Sequence, residues 1–252
     1  LRKNARARSG QLPGSRNGKE RDFAYLLRRV AELDGLKRLR YTTSYPADVN
    51  DDLILCHRDL KVLMPYLHLP IQSGSDKILK AMNRRHTSGD YLRIVEKLQN
   101  ANSDLRMSSD FIVGFPGETA EEFAVTKTFL EKVHFFEMHI FKYSRRKGTV
   151  ADKLPGQLTD AQKTERSGQL LALEKEQSRE FRAHYLGQEV EVLIEEQKEI
   201  GGKVYWLGHT DTYVKAAFAA DSAECMDYSN RLVHGRAVSF LSDEVLEISL
   251  NF

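Results

Sequence analysis

From Phe23 onward, two kinds of hydrophobic spacing take turns along the chain. Phe23, Leu26, Leu27 and Val30 recur at helical intervals, with Gly35 as a C-cap. The run "LRYTTSYP" has the β-branched and aromatic content of a strand, ended by Pro46. Asn50 caps a short helix that starts "DDLIL", and "YLHLPIQ" is the next strand. Ser75 caps a helix carrying Ile78, Leu79 and Met82. Thr87 with Asp90 forms a capping box, followed by an apolar face of Tyr91, Ile94, Val95 and Leu98. "LRMSSDFIVGF" is a strand, and Thr119 with Glu122 opens the next helix as a second capping box. "FFEMHIFKYS" is a strand, and Thr159 with Gln162 starts a long helix reaching about Tyr185.

Strands that alternate with helices predict parallel βα units. Roughly four strands are too few to close an eight-stranded barrel, so an open or partial (βα) barrel is expected. After Gly187 the helical period stops. "VEVLIEE", "KVYWLGH", "TYVKAAF", "RAVSFL" and "EVLEISL" are short strand-like runs with Gly, Asn and Asp between them. They predict a small all-β domain, an antiparallel barrel of about five strands. The expected organisation is a basic polar loop or disordered segment over 1–21, a (βα) unit over 22–186 and a β-barrel over 187–252.

Composition changes this picture little. The chain has 252 residues, 41% hydrophobic and 29% charged, which suits an ordinary globular protein. Its formal net charge of +2 points to no polyanionic partner, so a nucleic-acid surface has to be a local patch. No apolar stretch is long enough to span a membrane, and no signal peptide is visible, so a cytoplasmic location is expected. The chain starts with Leu, which suggests a fragment. Cys56 and Cys225 lie far apart and make neither a disulfide framework nor a metal-ligand cluster, so no metal site is expected.

Four stretches carry candidate chemistry. Gln72, Ser73, Gly74 and Ser75 sit where a strand gives way to a helix, the place where parallel βα units gather ligands. A tight turn asks for Gly and an N-cap whatever its task. In "SSDFIVGFPGET", Gly114, Pro116 and Gly117 lead to Glu118, and glycine lets a flat ligand lie against the backbone. A plain turn before a capped helix reads the same way. In "FKYSRRKGT", Lys142, Arg145, Arg146 and Lys147 surround Tyr143, a set suited to phosphate contact and base stacking, or to a solvated loop. In the final domain, Tyr205, Trp206, His209, Tyr213 and Lys215 make either a stacking surface or the core of a small barrel. Three of these stretches fall at successive strand ends and are expected to face one cleft.

Together, "LHLPIQSGSDKILKAMNRRHT", "SSDFIVGFPGET" and "MHIFKYSRRKGT" closely resemble the radical-SAM methylthiotransferases, over about residues 23–251. The last domain resembles the TRAM domain, the small RNA-binding barrel of that family. "EMHIFKYSRRKGT" and "GHTDTYVK" look most like the branch that acts on N6-threonylcarbamoyladenosine in tRNA. The resemblance implies S-adenosylmethionine as cofactor and two [4Fe-4S] clusters, one to cleave it reductively and one to deliver sulfur to C2 of the adenine. It also implies tRNA as partner, with a reductant and a sulfur donor. By resemblance, Gln72–Ser75, Asp110 and Gly114–Glu118 line the adenosylmethionine pocket. Lys142, Tyr143, Arg145, Arg146, Lys147, Tyr213 and Lys215 would meet RNA. The family's CxxxCxxC run has no counterpart here. Cluster ligation needs cysteine thiolates, so the chain by itself is expected to be catalytically incomplete. A non-catalytic RNA-binding protein is the alternative, as is a methylthiotransferase acting on another tRNA adenosine or on a ribosomal protein.

Overall fold

The computed structural model describes residues 21–42, 44–220 and 226–250. The basic segment 1–20 and Cys225 lie outside the described residues. Helices α1 (Phe23–Ala31) and α2 (Asp51–Asp59) come first, followed by strand β1 (Tyr66–His68). Helices α3 (Asp76–Ala81) and α4 (Ser88–Ala101) lead to β2 (Arg106–Val113). Helix α5 (Ala120–Val133), strand β3 (Glu137–Lys142) and the long α6 (Asp160–Ala183) complete the first unit. Strands β4 (Glu189–Ile200), β5 (Lys203–Thr210), β6 (Lys215–Ala219), β7 (Leu232–Ser242) and β8 (Val245–Leu250) form the second.

Side-chain oxygens start each of these six helices. Asn50, Ser75, Thr87, Thr119 and Thr159 each accept from a backbone N–H one turn in, as does Asp22 at α1. Each satisfies a donor that the helix leaves without an intrahelical partner. Thr87/Asp90 and Thr159/Gln162 are reciprocal capping boxes. Thr119 caps α5 by itself: its hydroxyl accepts from the Glu122 N–H, and no reciprocal bond is made by the Glu122 side chain. Gly35 is not the C-cap of α1, which ends at Glu32; it takes φ +79° in the turn beyond.

The first unit holds a parallel sheet in the order β1-β2-β3. Among the described residues of the fourth expected strand, "LRYTTSYP", Leu39 makes a parallel bridge with Leu63 and Ser44 N donates to His68 O, and no strand is formed. The aromatic content that suggested a strand is used otherwise: Tyr41 packs edge-on against Phe23, and its hydroxyl bonds His57 Nε2 at 2.7 Å.

Strand alternation sorts the sheet's two faces. Leu67, Met107, Phe111, Val113 and Met138 point into a core shared with α4 and α5, where Tyr91, Leu98, Phe129, Leu130 and Phe135 are buried. Each fully buried Leu or Phe there is worth about 1.5–3 kcal/mol of transfer free energy. His68, Ser108, Asp110, Ile112, His139 and Phe141 point the other way, and on β3 that face is open, with His139 exposed and Phe141 52% exposed.

The second unit closes into a five-stranded barrel, β4-β5-β6-β8-β7. It is not wholly antiparallel. β6 and β8 pair in parallel, Lys215 with Val245 through Ala217 with Glu247, and this is the seam that closes the barrel. Val192, Ile194, Trp206, Val214, Ala216, Phe218, Ala237, Leu246 and Ile248 fill the interior. Gly208 is required at its position: an added Cβ would stand 1.9 Å from Leu193 O, beside the bulge at Ile194/Glu196.

The barrel docks at the amino ends of the parallel strands. Phe136, just before β3, joins the barrel core, and Tyr66 packs against it. The Arg38 side chain reaches across to the carbonyls of His209 and Glu191 and to the Glu191 carboxylate. Arg40 donates to the carbonyls of Thr210 and Asp211.

Candidate functional site

The turn after β1 is set by backbone pairing. Gln72 N donates to Asp110 O, and Ile112 N donates to Gln72 O. This holds Gln72 at φ +81°, a conformation that a non-glycine residue adopts only when its surroundings insist. Ser73 and Ser75 are buried, and Ser75 is committed as the cap of α3. Gly74 is needed for packing: a Cβ there would lie 2.7 Å from Phe129 Cβ and 2.8 Å from Thr126 Cα of α5. The close approach that glycine permits on this side is helix against turn.

The Gly114–Glu118 turn is held in a similar way. Gly114 takes φ +73°, and the Lys163 side chain of α6 covers it, so that a Cβ would meet Lys163 Cγ at 2.3 Å. Gly114 N donates to Glu118 Oε2 at 2.7 Å, and the same oxygen accepts from Arg166 Nη1 at 2.5 Å. Burial pushes the Glu118 carboxyl up, against the pull of Arg166 and of the Gly114 N–H. Glu118 therefore braces its own turn. Pro116 is buried, and Gly117 N donates to Gly156 O.

Asp110 differs from its neighbours in the predicted set. It lies on the open face of the sheet, a quarter exposed at its side chain. His68 Nε2 stands 3.4 Å from Asp110 Oδ1, and His139, opposite Asp110 on β3, completes a group whose ligand atoms all lie within 4.8 Å of one another. His68 Nδ1 bonds Ser108 Oγ at 2.8 Å, and Ser108 Oγ bonds the Tyr66 hydroxyl at 2.7 Å. Burial lowers the His68 pKa, so at neutral pH its imidazole is uncharged. His68 and His139 were not among the sequence candidates. The signal was present: in "YLHLPI", "SSDFIV" and "EMHIF" the polar residue breaks an apolar strand, and parallel register puts the three breaks on one face.

The basic loop after β3 is exposed. Arg145 is pinned to Asp152 by its Nε and by a bond to the Asp152 carbonyl. Lys142 bonds Thr164 Oγ1 at 3.3 Å. Tyr143 packs edge-on against Phe115, half-buried, while Arg146 and Lys147 stand in solvent.

Tyr213 and Lys215 are elsewhere. Tyr213 sits in the β5–β6 turn at φ +72°, stacked on His209 at 4.4 Å and packed on Tyr66 at 4.8 Å, with the Arg40 guanidinium 5.0 Å from its ring centre. Tyr66 is at the amino end of β1, and the basic loop is at the carboxyl end of β3. Six residues of strand separate the two ends, about 20 Å. The structure thus brings the two turns and the basic loop to one end of the sheet and takes Tyr213 and Lys215 to the other. The cleft beside Tyr213 carries Lys175, Arg182 and Lys215 together with Glu137, Glu174, Asp243 and Glu244, so it has no cationic excess.

An iron-sulfur cluster does not fit the described residues. Such clusters take several thiolates. Cys56, the one cysteine among the described residues, is fully buried in α2 with its thiol toward Ala24 O at 3.6 Å. Burial pushes that thiol up, away from thiolate. No described helix is long and apolar enough to cross a membrane.

Comparison with known proteins gives a matching family model and a set of relatives. The model of the Radical SAM superfamily matches residues 14–130. The chain is 47% identical over 211 residues to the tRNA-2-methylthio-N(6)-dimethylallyladenosine synthase of Agrobacterium fabrum, covering 82% of this chain and 46% of that protein. It is 50% identical over 188 residues to the synthase of the same name from Bartonella henselae, covering 75% of this chain and 41% of that protein. The chain spans less than half the length of these relatives. Among solved structures, coproporphyrinogen III oxidase (HemN) of Escherichia coli superposes with a TM-score of 0.48 at 16% identity, over 61% of this chain and 36% of that one. By sequence, then, the chain is similar to the Radical SAM superfamily over residues 14–130 and, over most of its length, to tRNA-2-methylthio-N(6)-dimethylallyladenosine synthases.

Proposed function

We propose that this chain is part of a radical-SAM methylthiotransferase that adds a methylthio group at C2 of a modified tRNA adenosine. The identity of 47% to the Agrobacterium fabrum synthase over 82% of the chain carries this reading. Adenosylmethionine binds at the carboxyl end of the parallel sheet, along Gln72–Ser75, Asp110 and Gly114–Glu118. The strained Gln72 and the part-exposed Asp110 support that placement. The barrel is of the TRAM type and, with the loop Lys142–Lys147, contacts tRNA. The clusters that supply the radical and the sulfur are held by residues other than the ones described here, and the chain by itself does not complete the reaction.

The favoured substrate is the N6-dimethylallyl nucleoside, after the name the relatives carry. A second reading, the N6-threonylcarbamoyl nucleoside, rests on the likeness of "EMHIFKYSRRKGT" and "GHTDTYVK" to that branch. The two are separated by joining this chain to the part of the Agrobacterium fabrum protein that it does not cover. The chimera is expressed in a host that lacks its own methylthiotransferases, and its tRNA nucleosides are read by mass spectrometry. The expected product is 2-methylthio-N6-dimethylallyladenosine, with none made by the chain expressed alone. The threonylcarbamoyl product would select the second reading. A well-folded chimera that yields neither would overturn the proposal.

A further inference from the structure

One group on the open sheet face has no part in the reading above beyond Asp110: the two histidines that flank it. Three adjacent strands each contribute one side chain, His68 from β1, Asp110 from β2 and His139 from β3. Parallel register aligns them. His68 is opposite Ser108, and Asp110, two residues on, is opposite His139, so all three project from the same face.

The spacing suits an ion. Ligand atoms bound to one Zn2+ at about 2.0–2.2 Å stand about 3–4 Å apart. His68 Nε2 and Asp110 Oδ1 are 3.4 Å apart, and His139 Nδ1 or Nε2 closes the group inside 4.8 Å. His139 is exposed, so its ring is free to turn the remaining fraction of that distance.

The support around His68 suits an ion too. A ligating imidazole ordinarily donates its other N–H to an oxygen that fixes the tautomer. His68 Nδ1 lies 2.8 Å from Ser108 Oγ and donates to it in the Nδ1–H tautomer that a metal on Nε2 would impose, and Ser108 Oγ also bonds the Tyr66 hydroxyl. With Nδ1 carrying the proton, the Nε2 lone pair faces the Asp110 side. Glu137, on the same face of β3, adds negative charge without occupying the group. The strand scaffold fixes the backbone of all three ligands, which a loop cluster would not do.

We infer that His68, Asp110 and His139 bind one divalent transition-metal ion, with the open side of the sheet leaving further positions for water or substrate. Two imidazoles and one carboxylate favour Zn2+, Co2+ or Fe2+ over Mg2+ or Ca2+, which take oxygen ligands. This site does not depend on the proposed reaction.

The test uses the whole chain, stripped with a chelator. Zn2+ is titrated by calorimetry, and Co2+ is followed by its visible d–d absorption. The wild type is expected to take up about one equivalent, with Co2+ bands that report nitrogen and oxygen ligands. His139→Ala and Asp110→Asn are expected to weaken binding by about 100-fold or more, because loss of a mere supporting partner costs about 10–100-fold. Ser108→Ala is expected to fall within that smaller range. Thermal melting of each apo-variant checks the fold; His139 is exposed, so its variant stays folded. Equal Zn2+ binding by wild type and His139→Ala, or no binding by a folded wild type, would show a plain histidine–aspartate pair and overturn the inference. Adenosylmethionine titration of His139→Ala, a residue outside the proposed adenosylmethionine site, keeps the two proposals apart. Unchanged affinity there with lost Zn2+ binding supports the metal assignment, while lost adenosylmethionine affinity with intact Zn2+ binding overturns it.

Discussion

The parallel sheet and the barrel solve the problem of strand edges in opposite ways. The barrel pairs each of its five strands on both sides and fills its interior with side chains such as Val192, Ile194, Ala216 and Leu246. The sheet leaves β1 and β3 as edges and buries only one of its faces fully. Closure removes exposed backbone and makes a small barrel a packed core. An open face keeps polar side chains within reach of solvent and ligands. The chemically capable groups, His68, Asp110 and His139, accordingly lie on the sheet, while the barrel's aromatic residues Tyr205, Trp206 and Phe218 are structural.

If closure leaves the barrel no slack, Gly208→Ala has the largest effect. The new methyl would overlap the Leu193 carbonyl, which is backbone and cannot rotate away. We expect a loss of about 3 kcal/mol, read by denaturant unfolding of barrel tryptophan fluorescence at Trp206. A loss under about 1 kcal/mol would show that the bulge at Ile194/Glu196 relaxes.

Acid should act on the first unit, with a similar effect. Burial lowers the pKa of His57 in α2 from 6.5 to about 4. Below pH 6.5 the unfolded chain takes up a proton that the folded chain refuses until about pH 4. This contribution is fully present above pH 6.5 and is lost as pH falls through that window, about 3 kcal/mol in all. The difference in unfolding free energy between wild type and His57→Asn, followed from pH 7 down to 4, should shrink by that amount. A constant difference would place the acid sensitivity elsewhere.

The junction comes next. The Arg38 side chain, largely buried, donates to two barrel carbonyls and the Glu191 carboxylate. Arg38→Ala should cost about 1.5–3 kcal/mol of coupling and split the melt into two transitions, one for each unit. A single unshifted transition would mean that the aromatic contacts of Tyr66 and Phe136 hold the units together unaided.

The smallest effect belongs to the open face. His139→Ala should change the stability of the metal-free chain by no more than about 0.5 kcal/mol, since its side chain is exposed. A larger loss would show that the face is packed in solution and not open.

Much of the local structure was legible. Oxygen-bearing residues ahead of apolar periods marked five helix starts, because capping chemistry acts within one turn and needs no tertiary partner. The helical period stops near Gly187, and strand β4 begins at Glu189. Asp110 was legible as a candidate only through resemblance, and the two histidines beside it were passed over because each is a single polar residue in an apolar strand. Gly74 and Gly114 were conspicuous, yet what they accommodate, Phe129 with Thr126 and the Lys163 side chain, lies roughly 50 residues further along the chain.

Sequence by itself therefore determined what depends on neighbours a few residues apart: the caps, the helical and strand periods, and which residues of each strand share a face. Tertiary structure decided what depends on partners far along the chain. It left the described residues of "LRYTTSYP" with a bridge instead of a strand, closed the barrel through a parallel β6–β8 seam, and brought His68, Asp110 and His139 together. It also sent Tyr213 to the end of the sheet opposite the basic loop. Strand order and docking are fixed by long-range burial and pairing, and the one-dimensional pattern of apolar residues is compatible with more than one such arrangement.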